Sequence, residues 1–193
     1  MTAPLIAPAL TQIFNLSISK SEFPIPFKIA RVVPIHKKVP KNWLYQLSVV
    51  PITSLILERH VDLHLKAYLE LNYLFYFRQS GFREHHFGQT AIIKIAYDWL
   101  SVINENKIAG SLFLDFSKAF GLADHSILVH QLKLYIIDTS WFSSYLNKRF
   151  QQIHFGGTVS DKKEVISGMP QGSVHGPINT LPDLCKWYTP LTY

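Results

Sequence analysis

Strand-type and helix-type hydrophobic patterns alternate along this chain, and their order narrows its possible folds more than any other feature. Residues 27–36 alternate β-branched and basic side chains, which predicts a half-buried strand, and residues 46–50 predict a strand that returns after a polar turn. Apolar residues at helical spacing then predict a helix over residues 52–72. Hairpins and helices without repeated strand–helix–strand units predict an α+β fold.

The remaining patterns complete this order of elements. Prolines near the N-terminus predict an irregular lead-in with only a short helix at residues 10–18. A continuous apolar run at residues 108–113 predicts a buried strand that ends at Leu114 and Asp115. The other expected elements are helices over 90–104, 125–135 and 142–146, and a strand pair at 151–155 and 163–166 around two glycines.

Composition excludes several classes of protein. The 193 residues are 48% hydrophobic and 17% charged, which is too apolar for a disordered chain and is enough for one large or two small domains. The lone Cys185 excludes an internal disulfide framework and a cysteine-rich zinc module. Apolar runs are shorter than the roughly 18–20 residues that span a bilayer, and the N-terminus does not resemble a signal peptide. We therefore expect a soluble, intracellular protein of the cytoplasm or nucleus, without a membrane partner.

The positive charge is concentrated near the N-terminus. Six cations against Glu22 give six minus one, or +5 of the total +6, within the segment from Lys20 to Lys41. Such a basic segment suits a polyanion such as nucleic acid. The alternative is a solvated basic surface without a partner. The six cations are Lys20, Lys28, Arg31, Lys37, Lys38 and Lys41.

Asp115 is the first candidate for chemistry. It follows the apolar run of residues 108–114, so a strand would hold its carboxylate at the edge of a sheet. Mg²⁺ is typically bound by one or two such carboxylates together with substrate phosphates. The alternative is a helix N-cap or a turn residue.

The second candidate is the loop Gly168-Met169-Pro170-Gln171-Gly172. Its glycines permit close approach of the backbone, and its glutamine offers a side-chain amide. Such a loop can hold a base pair or a sugar-phosphate, although an ordinary turn would have the same composition.

Five short sequence motifs, taken in their order along the chain, resemble the reverse transcriptase of non-LTR (LINE-type) retrotransposons. They include Ala30-Arg31-Val32-Val33-Pro34, Gln79-Ser80-Gly81-Phe82-Arg83 and the two candidates above, and they span residues 14–178. The resemblance implies a right-hand polymerase fragment. It assigns residues 1–19 to an irregular lead-in, 20–105 to the fingers, 106–178 to a partial palm and 179–193 to a tail outside the family pattern.

The resemblance also implies roles for single residues in RNA-templated DNA synthesis. Asp115 would be the catalytic ligand of Mg²⁺, and Phe120 would be the steric gate beneath the incoming sugar. Contacts to the incoming nucleotide would come from Arg31, Lys37, Lys38, Pro170, Gln171 and Gly172. The path of the nucleic acid, an RNA template with a DNA primer, would be formed by Gln79, Gly81, Phe82 and Arg83.

Departures from the family pattern bear on activity. The family has an aromatic-Ala-Asp-Asp motif after the Pro-Gln-Gly loop, whereas this sequence contains no two adjacent acidic residues. Gly121 stands where a second Asp is usual, and Tyr45 stands where an Arg is usual. Since two-metal catalysis needs converging carboxylates, we expect the fragment to be inactive as a polymerase. The alternatives are a nucleic-acid-binding remnant without catalysis and a decayed element without function.

Two pairs of histidines are candidate metal ligands. His60 and His64 are four residues apart on a predicted helix, a spacing that permits two ligands on one face. His85 and His86 follow in a predicted loop. No acidic partner accompanies either pair in a known zinc arrangement, so we interpret both as surface residues.

Overall fold

A computed structural model gives the fold and describes residues 3–36, 44–75, 79–81, 83, 85–113 and 123–168. The helices are α1 (Ala3–Ser19), α2 (Ile52–Leu71), α3 (Gly88–Asn104), α4 (His125–Leu134) and α5 (Ser140–Leu146), and a 3₁₀ turn covers Ile25–Lys28. The strands are β1 (Ile29–His36), β2 (Leu44–Val49), β3 (Arg149–Phe155), β4 (Thr158–Val159) and β5 (Lys163–Val165). The mixture of helices and a sheet confirms the predicted α+β class.

β1 lies at the centre of the sheet. It pairs with β2 in antiparallel orientation, with Arg31 opposite Val49, and with β3 in parallel orientation, with Arg31 opposite Gln152. β3 also pairs with the short strands β4 and β5. Because directly opposite residues share a face of a sheet, Arg31, Val49 and Gln152 lie on the same face. That face is open to solvent at Arg31 and Val49, whereas Ala30 and Val32 on the other face are buried.

The hydrophobic core joins α2, α4 and α5 to the segment before β1. Phe23 is 2% exposed, and its ring meets Trp141 and Tyr145 edge-on at centroid distances of 5.4 and 5.0 Å. Trp141 and Tyr145 stack on each other at 5.6 Å. The buried leucines of this core are Leu57, Leu65, Leu69, Leu128, Leu132 and Leu146. Residues predicted as fingers and as partial palm therefore pack in one core.

The N-terminal helix is longer than predicted. α1 covers Ala3–Ser19 and contains Pro8, whereas the sequence predicted a helix only at residues 10–18. Its other proline, Pro4, lies in the first turn, where backbone N–H groups have no intrahelical partner, so this proline costs little. At the other end, Trp141 Nε1 donates to Ser17 Oγ at 3.1 Å and ties the helix to the core.

The predicted strand at residues 108–113 is wrong. These residues are in no strand, and Ile108, Leu112 and Phe113 are 98%, 74% and 72% exposed. An apolar run forms a strand only where a neighbouring strand offers hydrogen bonds. Residues 108–113 pair with none of the strands of the described sheet.

The amphipathic helix α3 is confirmed, but its apolar side chains are not buried. No residue of α3 is buried in the described structure. A hydrogen bond of 2.7 Å from Trp99 Nε1 to Ser111 Oγ connects α3 to the segment that follows it. Hydrophobic periodicity therefore predicted this helix without predicting what it packs against. Its exposed apolar residues include Ile92, Ile93, Tyr97, Leu100 and Ile103.

Candidate functional site

The structure describes part of the predicted site. Four of the predicted residues, Arg31, Gln79, Gly81 and Arg83, belong to described segments. The others lie outside the described residues: Lys37, Lys38, Phe82, Asp115, Phe120, Pro170, Gln171 and Gly172.

The segments that carry the two sequence candidates are joined at their described ends. Gly168 begins the glycine-rich loop, and its N–H donates to the carbonyl oxygen of Ala123 at 2.9 Å. Nε2 of His125 lies 2.9 Å from the carbonyl oxygen of Gly168, and a carbonyl accepts, so the ring nitrogen donates. Ala123 follows residues 114–122, which contain Asp115. The fold therefore brings Ala123 and His125 next to Gly168, the first residue of that loop.

α4 is held in this position by its own N-cap. The carboxylate of Asp124 accepts from the N–H of Ser126 at 2.7 Å and from its Oγ at 2.6 Å. The two hydrogen bonds from Ser126 lower the pKa of Asp124, because they stabilise the charged carboxylate. Asp124 therefore caps the N-terminus of α4, and the next residue, His125, contacts Gly168.

Among the residues predicted to contact the incoming nucleotide, Arg31 is the one that lies in a described segment. It is exposed on the open face of the sheet and lines a cavity of about 200 Å³. The rest of the cavity comes from β3 and the turn after it, from His154 to Val159. The parallel pairing of β1 with β3 is what brings these two distant parts of the chain together.

The turn at this cavity depends on two glycines. Phe155 is paired with Thr158 across it, and Gly156 and Gly157 have φ values of +55° and +81°. Two successive residues with positive φ are typical of the tight hairpin turn that matches strand twist. The sequence predicts a strand pair around these glycines, but its local pattern does not connect His154 or Phe155 with Arg31. The pairing of β1 with β3 brings these residues together, and the alternation of side chains within either strand does not reveal that pairing.

Lys28 corrects the interpretation of the basic segment. It is only 6% exposed, and its Nζ donates to the carbonyl oxygens of Ser144 at 2.6 Å and Asn147 at 3.1 Å. Burial lowers the pKa of Lys28, and the nearby charges of Arg149 and Lys148 lower it further. Lys28 therefore stabilises the end of α5 and is not part of an exposed basic surface, whereas Lys20 and Arg31 are exposed.

Arg149 supports the same end of α5 from inside the core. It is 1% exposed, and its Nη1 donates to the carbonyl oxygen of Tyr145 at 3.2 Å. Its guanidinium lies over the ring of Tyr145 at 4.5 Å and near the ring of Phe23 at 5.8 Å. These contacts indicate that Arg149 has a structural role.

The predicted nucleic-acid path at residues 79–83 is partly packed against the protein. Gln79 is buried, and its Nε2 donates to the carbonyl oxygen of Gly81 at 3.1 Å. Arg83 forms an ion pair of 2.8 Å with Glu70, and its guanidinium lies 5.3 Å from the ring centroid of Phe75. Glu70 thus compensates the charge of Arg83, and contact of this segment with a template stays a prediction.

The part of the chain that the structure describes does not form a metal centre. No group of three or more His, Cys, Asp or Glu residues comes together within it. The rings of His60 and His64 meet edge-on at 4.6 Å on the exposed side of α2, in agreement with their interpretation as surface residues. Within these same segments, no helix has both the length and the apolar character needed to cross a membrane.

Comparison with known proteins identifies the family. The model of the family described as reverse transcriptase (RNA-dependent DNA polymerase) matches residues 35–180, more than half of the chain. A probable RNA-directed DNA polymerase from transposon X-element of Drosophila melanogaster is 27% identical over 177 residues, which are 88% of this chain and 19% of that protein. The RNA-directed DNA polymerase from mobile element jockey of the same organism is 28% identical over 178 residues, or 87% of this chain and 19% of the relative.

The chain thus spans about a fifth of the length of these relatives. The matched range contains both Asp115 and the loop that starts at Gly168, together with the helices and strands that connect them. The chain belongs to the reverse transcriptase (RNA-dependent DNA polymerase) family and is a fragment of such a domain of the non-LTR retrotransposon type.

Proposed function

We propose that this fragment comprises fingers, residues 20–105, and a partial palm, residues 106–178, of a right-hand polymerase, and that it does not extend a primer by itself. The intact ancestral reaction is RNA-templated DNA synthesis on a DNA primer. One observation supports this proposal: Gly168, the first residue of the glycine-rich loop, is hydrogen-bonded to Ala123 and His125, which follow the segment of Asp115 in the sequence. An active centre built from both sequence candidates requires this neighbourhood.

The proposed inactivity follows from the small number of carboxylates available to bind metal ions. Phosphoryl transfer with two metal ions requires several acidic side chains around ions about 3.5–4 Å apart. Reverse transcriptases generally use divalent metal ions, and in this chain Asp115 is the residue proposed to bind Mg²⁺. The 193 residues contain no two adjacent acids, and the described segments contain no acidic cluster. We therefore propose that these acidic residues do not make a complete two-metal site.

A primer-extension assay tests the inactivity. The full chain is incubated with Mg²⁺, deoxynucleotides and a DNA primer on an RNA template, and an active reverse transcriptase serves as the positive control. We expect no extension above background. Mg²⁺-dependent extension that Asp115→Ala abolishes, while Asp161→Ala at an exposed position retains it, would show that the proposal is wrong.

A second function, nucleic-acid binding without catalysis, is favoured by the position of Arg31. This cation is exposed on the open face of the sheet, at the strand that leads to Lys37 and Lys38. Phosphate contacts of Lys and Arg release counterions, so we expect the affinity for RNA or DNA to fall steeply with salt. Neutral replacements of Lys37 and Lys38 should weaken binding. An affinity that stays constant from low to moderate salt would contradict this function.

A further inference from the structure

The exposed side of α2 carries two histidines that are one helical turn apart. His60 and His64 are both exposed, and their rings meet edge-on with the ring centroids 4.6 Å apart. Residues four apart on a helix lie on the same face, with Cβ atoms about 5–6 Å from each other. The two rings are therefore close enough for a single metal ion to contact one nitrogen of each.

The turn of α2 that carries this pair is fixed to the core from its opposite side. Leu57 and Leu65, which bracket the two histidines in the sequence, are 0% and 7% exposed and belong to the hydrophobic core. Asp62 lies between the histidines in the sequence, but it is 3% exposed and therefore faces the protein rather than the pair. The folded chain thus fixes the backbone beneath both rings in advance, which lowers the entropic cost of binding an ion.

The same side of α2 offers no further ligand among its described residues. Ile56, Leu63 and Ala67 lie three or four positions from one of the histidines and have no donor atom in their side chains. The hydroxyl of Tyr68 donates to the carbonyl oxygen of Tyr135 at 2.9 Å. An ion at this place would therefore have two protein ligands, and water would occupy its remaining positions.

The cations on this part of α2 do not block the approach of an ion. Nζ of Lys66 forms an ion pair of 2.7 Å with the carboxylate of Asp62, so this charge is compensated. Arg59 precedes His60 in the sequence, and successive residues of a helix differ in direction by about 100°. The guanidinium of Arg59 therefore extends from a different side of the helix than the two rings.

The ligand type determines which ions suit this pair. Imidazole nitrogen is a good ligand for Zn²⁺, Ni²⁺ and Cu²⁺, whereas Mg²⁺ prefers carboxylate oxygens and water. The pair is therefore unsuited to the Mg²⁺ ion proposed for Asp115.

We infer that His60 and His64 form a surface site for one divalent transition-metal ion of the class of Zn²⁺ and Ni²⁺. Both histidines are surface residues, and their exposure lets an ion reach both rings. The ion connects adjacent turns of α2 and stabilises the folded state, because the unfolded chain does not hold the two rings together. The inference goes beyond the polymerase fragment and the nucleic-acid binding proposed above and depends on neither.

Isothermal titration calorimetry with Ni²⁺ tests the site on the full chain, purified without a histidine tag. The variants are His60→Ala and His64→Ala, and the matched control is His130→Ala. His130 is exposed on α4 and has no histidine four residues before or after it. We expect the tightest Ni²⁺ ion to bind at least about tenfold more weakly to either variant, because one of two linked contacts is lost, and to bind the control as it binds the wild type.

Urea unfolding shows whether the ion binds the folded helix. The urea midpoint of the wild type should rise with the concentration of Ni²⁺, and the same concentration of Mg²⁺ should leave it unchanged. Ala67→His adds a third imidazole at an exposed position on the same side of α2. This variant should bind Ni²⁺ more tightly than the wild type, and circular dichroism of each variant verifies that the fold is intact.

Three results would overturn the site. The first is a Ni²⁺ affinity of His60→Ala and His64→Ala that equals that of the His130→Ala control. The second is a urea midpoint that falls with Ni²⁺, because the ion would then prefer the unfolded chain. The third is Ni²⁺ binding by Ala67→His without any binding by the wild type, which would show that two rings do not suffice. None of these measurements involves primer extension or nucleic acid, so failure of this site is distinguishable from failure of the proposed function.

Discussion

Replacing Phe23 by alanine tests whether the core described above is the one that stabilises this chain. Phe23 lies between the end of α1 and the 3₁₀ turn, and it is only 2% exposed. Its ring contacts Phe27 at 6.2 Å, Trp141 at 5.4 Å and Tyr145 at 5.0 Å, all edge-on. The backbone N–H of residue 23 donates to Ser144 Oγ at 2.9 Å, and this bond does not depend on the side chain. The variant therefore removes ring contacts and retains the backbone tie.

The expected loss of stability is large. Phe→Ala substitutions in cores lower the free energy of unfolding by about 3–5 kcal/mol, which includes the lost transfer energy and the cavity that remains. The three edge-on pairs of Phe23 favour the upper half of this range, since each such pair stabilises by about 0.5–1.5 kcal/mol beyond burial. We expect a loss of about 4 kcal/mol, out of roughly 5–15 kcal/mol for a native protein. At roughly 2–4 °C for each kcal/mol, the melting temperature should fall by roughly 8–16 °C.

Urea unfolding followed by tryptophan fluorescence measures this loss, because Trp141 is part of the same cluster. Tyr97→Ala is the control, since it removes a ring that is 71% exposed and should change stability by less than about 0.5 kcal/mol. A loss below about 1 kcal/mol for Phe23→Ala would refute the packing described here. A wild-type transition without cooperativity would instead support the hypothesis of a decayed element.

Three further changes test single interactions. Burial raises the pKa of Asp62 above its ordinary value of 3.8, so the folded state binds the carboxyl proton more tightly than the unfolded state does. Stability should therefore fall as the pH rises from 3.8 through the raised pKa of the folded state. Asp62→Asn should remove this fall in urea unfolding between about pH 4 and pH 7, and an unchanged pH profile would contradict it. Lys28→Met should lower the free energy of unfolding by about 1–3 kcal/mol, because two carbonyl groups lose a charged donor, and a more stable variant would show that burial of the amine dominates. Gly157→Ala should cost about 1 kcal/mol in thermal unfolding, because φ is +81° and the space is open, so equal stability would exclude a backbone cause.

Much of the secondary structure could be predicted because it is encoded locally. The helices α2, α3 and α4 begin and end within two residues of the ranges indicated by apolar spacing at residues 52–72, 90–104 and 125–135. β1 and β2 followed from alternation on either side of a polar turn. The resemblance to a polymerase also came from short ordered motifs, and the match of residues 35–180 to the family confirms it.

Nonlocal contacts could not be predicted in the same way. The parallel pairing of Arg31 with Gln152 joins positions 121 apart, and alternation within either strand does not specify its partner. Lys28 has the same sequence signal as an exposed lysine, but the end of α5 offers it two carbonyl groups and buries it. Residues 108–113 show the reverse case, in which an apolar run pairs with no strand of the described sheet and remains exposed.

The core and the candidate site are mechanically connected through α4. Leu128 and Leu132 of α4 are buried in the cluster around Phe23, while His125 at its first turn bonds to Gly168. A change that loosens the core would therefore also loosen the contacts of Ala123 and His125 with Gly168. Intact packing around Phe23 is therefore a precondition for the contacts that join α4 to Gly168. For binding at Arg31 the requirement is weaker, because that cavity depends on the pairing of β1 with β3.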